Sequence, residues 1–600
     1  MTIVDFLFYR ESCAWECDYV RAAKAGRGHG WSRSQIHFLM NVSANSQCFQ
    51  QAIDAEIKSL EESIQVLKLR RNALSPVSSL PPEVFAAIFS ILCSPGTPSL
   101  DEPDHQPARF CVSHVCHQWR EIALNQSLLW SYVNFSTLSA EGAAEILVRA
   151  QSAPLYLEAS FSSYCWDDDR FSTFRKELEA RVPHIRQLRT STGPVSLNSI
   201  LQKIHSPAPA LEYLSLSSCD VYHNGRRVGR SSIPDTLFDG STPRLSCLEL
   251  RYCDISWKSP LLKGLKCLEI FAPTPTARPE LTVWLSALDE MPQLATLTLH
   301  SASPIAPPFH SVGRTATLPS LTRLNILADP GDCALALAHL DLPALTWLCV
   351  TATHLPDSSE LQDLLPHVAR HAHGPQDTQA LQSVLLFSTD NCADILAWPM
   401  PYDDVEVHDP PTSSATARVA LSFMSHQLSS DERLEIFNTV MAGLPLDGLV
   451  ALGTHDENIS SNERDFPTHH FWLHLSPKWP QLQRVRLGPL VTRGFIGMLL
   501  EDDGGRERPL LPSLTVLAVV DFSFSELSTY PLYDALKKRV EQGVPVQILD
   551  LRMCTQDGRA KVWLRSLTEL VDDILGPEES TDDNSGEDDH SDTGSGDEDE

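Results

Sequence analysis

Apolar side chains recur along this chain with more than one period, and each change of period marks a boundary. Ile53, Ile57, Leu60, Ile64 and Leu67 follow a 4-3-4-3 spacing, with Glu, Lys and Arg between them. That spacing lays one narrow apolar seam along a helix, expected within residues 50–75 and ending before Ser75-Pro76. The seam covers only two to three heptads, so it is expected to pack on the module that follows it rather than on a second copy of itself. Residues 1–49 mix Gly, Cys and aromatics without a sustained period and are expected to form a poorly ordered extension.

From residue 76 to 135 the pattern becomes that of short amphipathic helices. Leu80-Pro81-Pro82-Glu83 suits a helix start, because proline loses nothing in a first turn and an acid favours the positive helix end. Phe85, Ile88, Phe89 and Leu92 then recur at i, i+3, i+4 and i+7. After a loop (Ser94 to Pro107), one second helix is expected, with Val112, Val115, Cys116, Trp119, Ile122 and Ala123 on its apolar face. Leu128, Leu129 and Trp130 close the unit. Two short helices make a core too small for so much aromatic and branched surface, so flanking chain or a partner must cover the excess.

Beyond residue 136 a phrase repeats. Leu211-x-x-Leu214-x-Leu216 recurs at Leu245, Leu265, Leu294, Leu321, Leu345, Leu381, Leu482, Leu514 and Val546, with Ile185-x-x-Leu188 as a degraded early copy. L-x-x-L-x-L is the strand signature of leucine-rich repeats, in which alternate apolar side chains point into a shared core. Copies lie 20 to 36 residues apart except for one gap near 390–480, so residues 136–575 are expected to form a divergent array, less regular across that gap. The fold class expected is thus α+β: a small all-α module, then an irregular leucine-rich-repeat-like α/β solenoid. Residues exposed on its strands, among them Glu212, Tyr213, Glu249, Arg251, Thr296, Arg323, Trp347, Arg484 and Arg486, are where a ligand would bind.

Charge narrows the partners. The net charge of −30 has the wrong sign for nucleic acid. Twelve of the acids fall in Glu578–Glu600, which holds no Lys or Arg, leaving about −18 for the rest. The segment 576–600 is expected to be a disordered acidic tail, with Ser580, Ser585 and Ser595 each followed by an acid three residues on. Fifteen cysteines without a CxxC pair suit reduced, buried thiols and a cytoplasmic or nuclear residence. No basic leader and no apolar run long enough to span a bilayer is evident, so no membrane partner is expected.

Motifs for chemistry are sparse. Cys111, His114, Cys116 and His117 bring four nominal ligands into seven residues, but no second segment offers a matching pair, and no metal is expected. Asp167-Asp168-Asp169 suits a solvated loop better than a divalent site, and His371, His373, His469, His470 and His474 suit a surface. No Walker loop, G-x-S-x-G or H-E-x-x-H occurs. No catalytic residue, cofactor or enzymatic activity is expected.

The segment LPPEVFAAIFSIL…RFCVSHVCHQWREIALNQSLLW, with its Leu-Pro-x-Glu opening, Val-Cys-x-x-Trp-Arg and terminal Leu-Trp, resembles the F-box in the form common among mushroom-type (basidiomycete) fungi. The upstream heptad helix and the long loop between the helices also resemble that subgroup. The resemblance implies a non-catalytic adaptor: a substrate-recognition subunit of a Skp–cullin–F-box ubiquitin ligase. Its F-box would bind a Skp-type adaptor of the cullin–RING ligase, and the downstream array would hold a protein substrate of unknown identity. It implies adaptor contacts for Leu80, Pro81, Pro82, Ile88, Phe89, Val115, Trp119 and Trp130, although Val115 and Trp119 also suit the module's own core. The alternative is a leucine-rich-repeat scaffold whose F-box-like segment only caps the array and which has no ligase role.

Overall fold

The computed structural model describes residues 33–92, 106–162, 168–218, 222–223, 226–227, 230–306, 313–373, 380–401, 417–425, 427–456, 469–501, 509–523, 527, 531–555 and 560–576. The acidic tail and residues 1–32 lie outside these. The chain divides into two compact units between Leu129 and Trp130. In the first, α1 (Arg33–Ala73) is a 41-residue helix, so helix begins well before residue 50. It stops where the sequence says it must. Ser75 precedes a proline and is extended (φ −73°, ψ 135°), and Ser78 Oγ donates to the Asn72 carbonyl at 2.7 Å. The seam residues Ile53, Ile57, Leu60, Ile64 and Leu67 are all exposed, against the expectation that the following module would cover them.

A single turn of 3₁₀ helix leads to α2 (Pro82–Leu92), whose first bonds run from the Val84 and Phe85 amides to the Pro81 carbonyl. The expected second helix is two: α3 (Gln106–His114) and α4 (His117–Asn125). Between them Cys116 is fully extended (φ −158°, ψ 172°). Ser113 Oγ donates back to the Phe110 carbonyl, a bond that loosens a helix end. The break takes Val115 off the apolar stripe and leaves it exposed.

The second unit holds one open, mostly parallel 17-stranded sheet with helices in the crossovers. Nine strands run in order: β1 (Tyr132–Asn134), β2 (Leu155–Ser160), β3 (Ile185–Thr192), β4 (Tyr213–Ser218), β5 (Cys247–Arg251), β6 (Cys267–Phe271), β7 (Thr296–His300), β8 (Arg323–Ala328) and β9 (Trp347–Ala352). Every neighbouring pair among them is parallel. Register carries Leu157, Leu188, Leu214, Leu248, Leu268, Leu297, Leu324 and Leu348 into one buried row. At ~1.5–3 kcal/mol for each fully buried Leu, this row is a principal source of the unit's stability. Strand residues on either side of it face outward.

The direction then changes. β10 (Ser383–Ser388) and β11 (Cys392–Trp398) form a hairpin through Thr389–Asn391, and β12 (Val419–Met424) lies antiparallel beside β11 and parallel beside β9. Leu385, Leu396, Trp398 and Ala417 form a small apolar cluster there. Parallel pairing resumes with β13 (Ala451–Asp456) on β10, followed by β14 (Arg484–Leu487), β15 (Val516–Val519), β16 (Ile548–Asp550) and β17 (Asp573–Leu575).

A thiol device recurs at the strand ends. Cys253 and Cys554, each three residues past the last apolar residue of a phrase, donate Sγ–H to the carbonyls of Leu216 and Val519 one strand back. Burial pushes both thiols up to about 12, so they stay protonated donors. Tyr132 and Asn134 of β1 pair with β2, so residues 130–135, expected in the helical module, belong to the sheet unit.

Candidate functional site

Two surfaces offer themselves, one on each unit. In the helical unit three rings make the core: Trp119 on α4 lies 5.4 Å from Phe85 and 5.2 Å from Phe89, both on α2. Phe85 and Phe89 are buried and Trp119 is half-buried. The same helices turn other apolar groups outward. Ile88 is 39% exposed, Val115 58% and Ile91 77%, with Val84 and Leu92 also exposed. Pro81 and Pro82 are exposed and Leu80 is half-buried beside them. An unpartnered apolar surface of this kind marks a protein contact.

The eight residues singled out for adaptor contact therefore separate. Leu80, Pro81, Pro82, Ile88 and Val115 present surface, while Phe89 and Trp119 face each other inside. Trp130 is 1% exposed and sits in the second unit, its ring 5.0 Å from the Arg149 guanidinium. Val84, Ile91 and Leu92 on α2 are also exposed and were left out of that set by the sequence reasoning. Ile91 falls off the i, i+3, i+4, i+7 stripe, and that displacement was the available signal.

On the second unit, outward strand positions interlock across the sheet. The Arg189 guanidinium donates to Tyr213 Oη at 3.0 Å, and Glu249 lies on the other side of that phenol. Burial, reinforced by Glu249, holds the phenol in its protonated form. Glu269 occupies the next strand at the register of Glu249, and its carboxyl is pushed up by burial and by the Glu249 charge. The Arg251 guanidinium sits 3.9 Å over the Phe271 ring, which meets His300 edge-on at 4.3 Å. Burial and the Arg251 charge lower His300 to about 4, so it is neutral and meets Asn325 at 3.4 Å. Arg323 lies 4.6 Å over Trp347. Rings braced by guanidinium groups are rigid and half-desolvated, the composition of protein-binding hot spots.

Of the outward residues anticipated, Tyr213, Glu249, Arg251, Arg323 and Trp347 join this surface. Glu212 pairs instead with Arg186 at 2.8 Å, Thr296 is half-buried, and Arg484 is exposed on β14. Arg486 is buried. Arg189, Glu269, Phe271 and His300 were missed although they occupy equivalent outward positions, two of them one place beyond the phrase.

The other candidates resolve locally. Asp168 caps the helix Asp169–Arg181 and pairs with Arg170 at 2.8 Å, whose side chain holds the carboxyl below its usual range. Cys111 and His114 lie on α3, Cys116 at the break and His117 on α4, where it faces Glu121 at 3.6 Å. Among the described residues no three His, Cys, Asp or Glu side chains gather as a metal-holding group. His371 departs from the surface expectation: it is buried, 3.2 Å from Arg370. No helix among the described residues is long and apolar enough to cross a membrane.

A helical module with solvent-facing apolar side chains thus precedes a large mixed α/β sheet in the chain. Residues 77–136 match the family model described as F-box-like, so the helical module and the strand after it carry an F-box-like domain. No curated protein matches the chain.

Proposed function

We propose that this protein is the substrate-recognition subunit of a Skp–cullin–F-box ubiquitin ligase. The observation that carries the proposal is the coincidence of the F-box-like match with apolar side chains turned to solvent on α2 and at the α3–α4 break. Ile88, Val115, Leu80, Pro81 and Pro82 would supply the contact, and a Skp-type adaptor is the partner that F-box domains bind. The second unit is then a divergent leucine-rich-repeat-like array, a reading supported by the in-register parallel strands and their recurring thiol donors. Its braced face of Arg189, Tyr213, Glu249, Arg251, Phe271 and Trp347 would hold a protein substrate. In this reading the chain is non-catalytic and works in the cytoplasm or nucleus.

The test is co-purification of the full chain with a Skp-type adaptor. Ile88→Asp with Val115→Asp places two charges in the desolvated contact and is expected to abolish recovery while circular dichroism stays unchanged. Undiminished recovery with that folded double variant would overturn the proposal. Arg251→Ala with Trp347→Ala is expected to leave adaptor recovery intact and to lose substrate.

A further inference from the structure

The apolar seam of α1 is fully displayed: Ile53, Ile57, Leu60, Ile64 and Leu67 are between 47% and 62% exposed. A helix does not keep five branched side chains at heptad spacing in water without cost, since each would gain by burial. The question is what covers them, and the flanking charges answer it.

In a two-stranded coil with Ile57 and Ile64 at a and Ile53, Leu60 and Leu67 at d, the positions beside the seam are Asp54, Glu61 and Lys68 at e and Glu56, Ser63 and Arg70 at g. These positions set partner and orientation. They are segregated: acids precede Glu62 and bases follow it. A parallel pair of identical helices would set Glu56 against Glu61 of the other copy, twice, and bring no opposite charges together. An antiparallel pair centred near Glu62 sets Ile57 against Leu67 and Leu60 against Ile64 in successive layers. It also sets Asp54 against Lys68 and Glu56 against Arg70, each twice. Its one like-charge meeting is Glu61 with Glu61 across the axis. Ile53 meets the aliphatic stem of Arg71.

We infer that α1 pairs with α1 of a second copy of this chain, antiparallel, through residues 51–73. The fit is specific to a self-partner, because the acidic half of the helix is complementary to its own basic half in the same register that stacks the apolar layers. The inference is independent of the adaptor proposal, since its seam lies upstream of the F-box-like segment. Its consequence is a protein with two copies of every downstream surface.

The test is the solution mass of the full chain at micromolar concentrations by light scattering or sedimentation equilibrium. Twice the chain mass is expected, with dissociation promoted by salt. Leu60→Asp with Ile64→Asp alters exposed positions, so helix content and thermal midpoint should persist while the dimer is lost. Asp54→Lys with Glu56→Lys sets like charges together in the antiparallel register and is expected to weaken the dimer by at least roughly tenfold. Adding Lys68→Glu with Arg70→Glu restores it. A monomer at tens of micromolar would overturn the inference, as would a dimer indifferent to Leu60→Asp with Ile64→Asp. So would a dimer tightened by Asp54→Lys with Glu56→Lys, which is the signature of parallel pairing.

Discussion

Trp119 and Val115 sit four residues apart, and the structure gives them opposite duties. Trp119 closes a three-ring cluster with Phe85 and Phe89, so Trp119→Ala empties most of a very small core. A loss of ~3–5 kcal/mol is expected, enough to melt the module on its own, and loss of helical signal around 77–129 would register it. Adaptor binding lost in that variant would say nothing about contact, whereas loss at Val115 would. His371 carries a different residue-scale consequence. Burial, then Arg370, lowers it to about 4, and the neutral ring accepts from the Arg370 guanidinium. In the unfolded chain an ordinary histidine titrates near 6.5. The unfolded state therefore takes up the proton first, and stability falls as pH drops from about 6.5 toward 4, by an amount on the order of 3 kcal/mol. Denaturant midpoints measured from pH 7 to 4.5 should decline, and His371→Gln, which keeps a neutral acceptor, should flatten the decline. Parallel profiles for the two proteins would show that other groups govern the acid transition.

Between elements, arginine side chains tie one element to the backbone carbonyls of another, two of them (Arg418 and Arg539) buried. Arg539, on the helix Leu532–Glu541, donates to the Leu510, Leu511 and Leu514 carbonyls just before β15, while Arg418 donates to the Leu345 and Ala372 carbonyls and Arg370 to those of Leu337 and Leu340. Burial lowers Arg539 to about 10, still charged at neutral pH. Arg539→Met keeps the volume and removes these donors, and of the three carbonyls the one of Leu511 keeps the Leu514 amide. A cost of roughly 2–4 kcal/mol is expected by chemical denaturation, with Arg539→Lys recovering only part, because an ammonium cannot reach three carbonyls in a planar fork. Nothing in the sequence pattern announced these bonds, since a lone Arg in an amphipathic helix looks solvent-facing. The strands were far more legible. Each L-x-x-L-x-L phrase lands on one, because alternate burial leaves a period of two that composition cannot disguise. β13 escaped because Thr454 stands in the third apolar place of Leu449-x-x-Leu452; its hydroxyl accepts from the Gly488 amide at 2.7 Å, which makes a polar core position tolerable. β2 escaped because Leu155, Leu157 and Ala159 alternate without the leading Leu. On the helical unit the stripe of α2 was visible, but the break at Cys116 was not, and the break decides that Val115 faces out.

Across the sheet unit as a whole, stability should be graded along the strand order rather than uniform, since each strand leans mainly on its neighbours. β5 to β9 pair over five or six residues on both sides, and their core rows are almost fully sealed. At the far end β16 and β17 share three residue pairs, Asp573 is exposed, and Ile574 and Leu575 are only half-buried. A three-residue terminal strand opens with little loss of apolar contact, and its opening does not require the next strand to follow. The antiparallel hairpin of β10 and β11 interrupts the gradient. It inserts non-local pairings with a second apolar cluster, so it should behave as an anchor between the two parallel runs rather than as another link. Hydrogen exchange on the full chain should therefore show protection lowest at 573–575, rising through β16 and β15, and reaching plateaus in β5–β9 and β10–β12. Uniform protection from β5 to β17 would mean that the sheet opens as one cooperative body, and the nearest-neighbour account of its stability would then be wrong.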